Sequence, residues 1–248
     1  MLAQRDRLDW MVKRKHYQYL ELITICFVLV LILSNLIGSV KITQLCLGHW
    51  FCFSTTTGVL LFPVSYLIGD ILTEVYGYAQ SRKVIWTGFG ALILANLIIQ
   101  FFIILPADPS WGLQGAYSQV FNMSLRISVA SIIAFAAGEF TNSYVIAKLK
   151  LWTKGKYQAV RIIGSTMAGE LVDTIIIIPL AFIGAEGYPL ELMFKLMGSK
   201  YLIKIIWEIL AYPLITVHLI KFLKKKENED HYDKGTDFNP FHLWTKQH

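Results

Sequence analysis

Six apolar runs of about twenty residues occupy half of this 248-residue chain: roughly Leu22 to Val40, Gly58 to Tyr78, Val84 to Leu105, Ile127 to Ala147, Ile162 to Phe182 and Ile203 to Leu223. Each is long enough to carry a helix through about 30 Å of hydrocarbon, where every backbone N–H and C=O must find its partner inside the segment. The pattern predicts an all-α fold, a polytopic membrane helix bundle with six transmembrane helices joined up and down. A mean hydropathy of +0.50 with only 16% charged residues excludes an ordinary soluble domain. Two regions follow: residues 1–223, the transmembrane domain behind a short basic N-terminus, and residues 224–248, a cytoplasmic tail.

The net charge of +6 raises the question of a nucleic-acid partner, and the position of the basic residues answers it. With the N-terminus inside, eighteen of the 23 fall in segments on one side: Arg5 to Lys15, Arg82 and Lys83, Lys148 to Arg161, and Lys221 to Lys246. Lys41, Lys195 and Lys200, with Arg126 and Lys204 near helix ends, keep the other side. The positive-inside rule then puts both termini in the cytoplasm, and basicity reflects orientation rather than nucleic-acid binding. The first run is too long for a signal-peptide core and has no small-residue cleavage site, so it reads as a retained helix. Cys26 reads as a packed thiol within it. The outer loop Lys41 to Thr57 is rich in β-branched and aromatic residues about Gly48, and a hairpin there would set Cys46 across from Cys52. The tail changes composition at Lys224 and reads as mobile, near the lipid headgroups.

A weak echo runs through three of the spans. Ser65 to Glu74 (SYLIGDILTE), Ala134 to Asn142 (AFAAGEFTN) and Ser165 to Asp173 (STMAGELVD) each read small-xxx-small, then an acid, then a polar group one turn later. Small residues four apart permit close helix crossings. Counted inward, Asp70, Glu139 and Glu170 each stand about 18 Å below the outer boundary at 1.5 Å per residue, so three acids share one layer near the midplane.

Charge at that depth is costly and marks binding sites, ion paths or proton relays. The intramembrane set comprises Asp70, Glu74, Glu139, Glu170, Asp173 and Glu208, with Asn35, Thr73, Asn96, Gln100, Thr141 and Asn142 as neutral partners. Two readings stand: the acids lock the bundle through mutual hydrogen bonds, or they bind a substrate or ion. Lys204 and Glu208, spaced i, i+4, are expected to pair with each other. No other basic residue evidently neutralises the central acids, so they need protons, a cation or a ligand rich in N–H groups. Phe62, Tyr66, Trp86 and Phe89 could stack a flat ring. The six histidines are scattered, no CxxC, HExxH, GxSxG or Walker loop occurs, and no cofactor or metal is expected. An aspartyl pair of an intramembrane enzyme, Asp70 with Asp173, is the third reading.

The run Phe62 to Tyr78 (FPVSYLIGDILTEVYGY) resembles the signature of the bacterial queuosine precursor transporters, within the vitamin uptake transporter group. Gly138 to Val145 (GEFTNSYV) and Asp233 to Phe241 (DKGTDFNPF) are similar to further parts of it. The resemblance implies a multi-pass protein of the bacterial inner (plasma) membrane that is not an enzyme. It would import 7-cyano-7-deazaguanine, the 7-aminomethyl compound or queuine for tRNA modification, by alternating access. Its partners would be a 7-deazapurine and the lipid bilayer, and a homodimer is compatible with the small-residue faces. On that reading Asp70 or Glu170, with Glu139 in the same layer, accepts from the N1–H and amino edge. Asn142 or Gln100 would face the carbonyl, Asn35 and Asn96 would join the substrate-binding set, Tyr66 or Phe62 would stack, and Glu74, Glu139 or Asp173 would carry a coupling proton. A substrate-binding membrane subunit of an energy-coupling-factor complex is the competing role.

Overall fold

The computed structural model describes residues 17–36, 42–47, 51–121, 125–183 and 189–242. In chain order these form α1 (Leu20–Leu36), β1 (Ile42–Leu47), β2 (Phe51–Thr56), a 3-10 turn (Thr57–Leu60), α2 (Phe62–Tyr76), α3 (Tyr78–Ile104), α4 (Gln114–Phe121), α5 (Leu125–Trp152), α6 (Gln158–Phe182), α7 (Leu190–Ala211), a π-helical turn (Tyr212–Thr216) and α8 (Val217–Glu227). Four helical stretches are long and apolar enough to cross a membrane: Tyr78–Ile104, Val129–Trp152, Gln158–Ala181 and Lys200–Glu227. Leu20–Leu36 is a shorter apolar helix. Large apolar side chains such as Leu97, Phe101, Ile104 and Leu214 stand exposed along the outer faces, as a lipid-facing surface requires.

Around α2 the other elements close: α1, α3, α5, α7 and α8 all pack against it. From Ser65 to Tyr76 every residue of α2 is buried, which is why a helix of only fifteen residues can hold Asp70, Thr73 and Glu74. A helix buried at its end must satisfy its last carbonyls. Here Gly77 N bonds Thr73 O at 3.1 Å, Lys150 Nζ reaches Glu74 O at 2.6 Å, and His231 N reaches Val75 O at 3.3 Å.

One residue, Gly77, connects α2 to α3. Its φ of +83° is costly for any residue with a Cβ, and a Cβ there would also run into the His231 ring. The loop expected around Arg82 and Lys83 is therefore absent, because both residues lie inside α3. α4 was not anticipated; it follows the Pro106–Pro109 segment and has no buried residue. In the hairpin, Cys46 and Cys52 are register partners, while their side chains, and so the expected bridge, lie outside the described ones. Cys26 is exposed on α1 rather than packed, because it occupies a face that no other described helix covers.

The tail departs most from expectation. Instead of a mobile segment, residues 228–242 form a strap across the ends of α2 and α3; residues 243–248 lie outside the described chain. Asp233 takes the backbone N–H of Tyr78 on both carboxylate oxygens at 3.1 Å, capping α3. Arg82, fully buried, donates to the carbonyls of Asp237 (2.8 Å) and Asn239 (2.5 Å), and Trp86 Nε1 donates to Pro240 O at 2.7 Å. Phe238 rests against Tyr78 and Tyr144, with Lys148 Nζ 4.0 Å above its ring. Glu227, the last residue of α8, accepts from the N–H groups of Gln18 (3.0 Å) and Tyr19 (2.7 Å) and so caps α1. Composition shows these side chains as polar; it does not show that their partners are orphaned helix-end groups.

Candidate binding site among the membrane helices

The three echoes meet. α5 and α6 cross at Gly138 and Gly169, where a Cβ on Gly138 would lie 2.9 Å from Gly169 O and one on Gly169 would lie 2.7 Å from Gly138 O. Only hydrogen fits between these backbones. Gly69 of α2 makes the same room for the Glu139 carboxylate, which any side chain there would overlap. The small residues thus bring three helices close enough for the acid following each glycine, Asp70, Glu139 and Glu170, to share one buried layer.

Each acid has a different environment. Asp70 accepts from Asn142 Nδ2 at 2.6 Å and from Thr166 Oγ1 at 3.3 Å, with nothing exposed to solvent. Glu170 and Asp173, one turn apart on α6, share Lys204 of α7: its Nζ donates to Glu170 Oε2 and, at 2.7 Å, to Asp173 Oδ2. The expected Lys204–Glu208 pair does not form. An i, i+4 pair contributes only about 0.5 kcal/mol, whereas two carboxylates on the facing helix offer Lys204 two charge-assisted bonds. Nor are the acids without basic partners, since Lys204 lies in their layer rather than at a helix end.

Glu139 is left over. Both of its carboxylate oxygens are buried with no hydrogen-bond partner among the described residues, as are Tyr66 Oη, Asn142 Oδ1 and Glu208 Oε1. The Tyr66 hydroxyl lies beside Gly138, in the field of Glu170, Asp173, Glu139 and Asp70. Its ring stands edge-on to Phe135, 5.3 Å between centroids, and Phe62 packs on the same ring at 6.1 Å. Glu208 faces Asp70 and Glu170 from α7. Unpartnered buried polar atoms each cost about 1–3 kcal/mol, so their convergence points to a ligand that pairs with them. A carboxylate, an amide oxygen and a phenol together suit a neutral, planar molecule with several N–H donors.

Other residues singled out from the sequence fall elsewhere. Asn35 donates to Leu31 O and accepts from Ser131 Oγ at 3.2 Å, joining α1 to α5. Asn96 bonds its own helix at Leu92 O, Thr141 bonds Ala137 O, and Gln100 is half-buried farther along α3. Trp86 and Phe89 belong to an aromatic cluster with Phe140 and Phe135.

Glu74 belongs to a second centre, at the end where the tail straps across. Its Oε1 accepts from Arg161 Nη2 (2.7 Å) and Lys224 Nζ (2.8 Å), with Lys150 Nζ 3.8 Å away. Asp230 of the strap closes the network through Lys150 (2.6 Å) and Lys224 (2.8 Å). Partial burial works against the Asp230 charge, but these two bonds hold its carboxyl below the usual aspartate range. α2, α5, α6, α8 and the strap are thereby tied at one point. Arg161, Lys150 and Lys224 appear in the sequence only as flanking positive charge, and nothing in their spacing signals a shared partner on α2.

Residues 56–218 match the family described as "Putative vitamin uptake transporter". Among curated proteins, the chain is 29% identical over 193 residues to the "Probable queuosine precursor transporter" of Haemophilus influenzae, covering 75% of this chain and 78% of that one. It is 27% identical to the "Probable queuosine precursor transporter" of Bacillus subtilis (66% and 71% covered) and 26% identical to the "Queuosine precursor transporter" of Escherichia coli (70% and 76%). No solved structure matches. The match to a transporter family, with relatives named as transporters, sets aside the intramembrane-enzyme reading. This multi-pass membrane protein belongs to the vitamin uptake transporter family.

Proposed function

We propose that the chain imports queuosine precursors, chiefly 7-cyano-7-deazaguanine and 7-aminomethyl-7-deazaguanine, across the bacterial inner membrane by alternating access. In this reading six segments span the bilayer, α2 being the buried one, and both termini are cytoplasmic. Three relatives carrying that name support the substrate class. The observation that carries the chemistry is Glu139, a fully buried carboxylate whose two oxygens have no partner among the described residues. A 7-deazaguanine presents N1–H and the 2-amino group on one edge, the parallel donor pair a carboxylate accepts. Asn142 Oδ1, whose amide nitrogen is committed to Asp70, accepts a further donor, and the Tyr66 hydroxyl donates to the ring carbonyl. Asp70 thus orients Asn142, and Glu170 and Asp173 are held by Lys204. The Glu74 network keeps the cytoplasmic end shut, and release inward requires it to part.

The test is queuosine in tRNA of a bacterium lacking both precursor synthesis and its own importer. The chain is expressed without any energising ATPase, and the cyano, aminomethyl and queuine bases are supplied in turn. Restoration by the first two is expected, with loss in Glu139→Gln. No restoration by any base, or full restoration in Glu139→Gln, Asp70→Asn and Glu170→Gln alike, overturns the reading.

A further inference from the structure

The acid layer holds a cation of its own. Lys204 seats its ammonium between Glu170 and Asp173 of α6, with the Tyr66 ring of α2 centred 5.8 Å from Nζ. Its side chain is only 13% exposed. Two carboxylate oxygens and an aromatic face, set among the helices that line the binding site, form the surroundings a free monovalent cation would choose. Stability alone gives no reason for the arrangement, since well-packed apolar side chains commonly match or exceed a buried ion pair. A free ion arrives and leaves with each transport cycle and so links uptake to its own gradient. An ammonium on a four-carbon tether can shift but cannot leave.

We propose that Lys204 is a built-in counter-cation standing where a coupling metal ion would bind, so that transport by this chain draws on neither a Na⁺ nor a K⁺ gradient. The proposal rests on the transport reading above but can be read without a substrate. Glu170 and Asp173 of α6 keep their neutralising partner throughout the cycle, and the ligand meets a site whose charge is set by the chain itself.

The first measurement is the Tm of the purified full chain at constant ionic strength, with choline replaced stepwise by Na⁺, K⁺ or methylammonium. Wild type is expected to stay flat. Lys204→Ala is expected to start lower and to recover by about 3 °C or more in at least one of the three, as an occupied site stabilises the folded state. Lys204→Arg should behave as wild type. A wild-type Tm that climbs with Na⁺ or K⁺, or a folded Lys204→Ala that answers to none of the three, overturns the proposal. Should Lys204→Ala not fold, the wild-type titration still decides, together with initial uptake of labelled 7-cyano-7-deazaguanine into proteoliposomes. That rate should hold when Na⁺ and K⁺ gradients are abolished or reversed, and a fall of more than twofold overturns the proposal. If the labelled base does not bind at all, the transport reading fails while the thermal result still judges Lys204.

Discussion

Glu139 and Glu74 are equally buried carboxylates, and only their neighbours distinguish them. Among the described residues Glu139 has no hydrogen-bond partner, whereas Glu74 has three cations within 4 Å. Neutralising Glu139 should therefore leave the fold intact or strengthen it while lowering precursor uptake at least about tenfold, the scale of a lost charge-assisted bond. Thermal melting beside an uptake assay checks both halves. Neutralising Arg161 does the reverse: Arg161→Met takes from Glu74 its 2.7 Å partner while Lys224 and Lys150 remain, and should cost about 1.5–3 kcal/mol, the scale of one charge-assisted bond, seen as a fall in Tm. The sequence places both acids in apolar runs and puts Glu139 at one depth with Asp70 and Glu170. It does not separate the two roles, because partners such as Arg161, Lys224 and Lys204 come from helices distant along the chain. A local spacing rule even assigns Lys204 to Glu208, when a facing helix holds the stronger acceptors.

At the scale of elements, the small residues matter more than the acids. Gly138 and Gly169 fix how near α5 and α6 lie, and Gly69 lets Glu139 enter. Gly169→Val should push the crossing apart and remove uptake even though no ligand contact is altered, whereas Gly164→Val on the same helix, where a Cβ meets nothing, should be tolerated. Uptake and detergent stability of the two variants, measured side by side, decide this. The small-xxx-small spacing made the crossing legible in advance. Each apolar run coincides with helix, and four helical stretches are long and apolar enough to cross a membrane, yet apolar length overestimated α2, whose fifteen helical residues end at a glycine turn, and missed α4.

For the molecule as a whole, the strap is the unexpected part. Truncation after Glu227 removes the Asp233 cap on Tyr78, the acceptors of Arg82 and the Asp230 arm of the ionic network. It should lower Tm and open the strapped end to protease. Acid should act in the same direction. Asp230 has a lowered pKa in the folded chain, so its contribution is complete above the unfolded aspartate value near about 4 and is lost as pH falls through the lower folded value. Hydrogen exchange of residues 228–242 should accordingly quicken only at strongly acid pH, and equal exchange at neutral and acid pH would remove this account. The strap's composition is polar enough to suggest a solvated tail, and its role emerges only from helix ends that lack partners. One of those ends dates the assembly of the fold. The first turn of α1 is capped by Glu227, more than two hundred residues downstream, so a ribosome delivering this chain has made nearly all of it before α1 can acquire that cap.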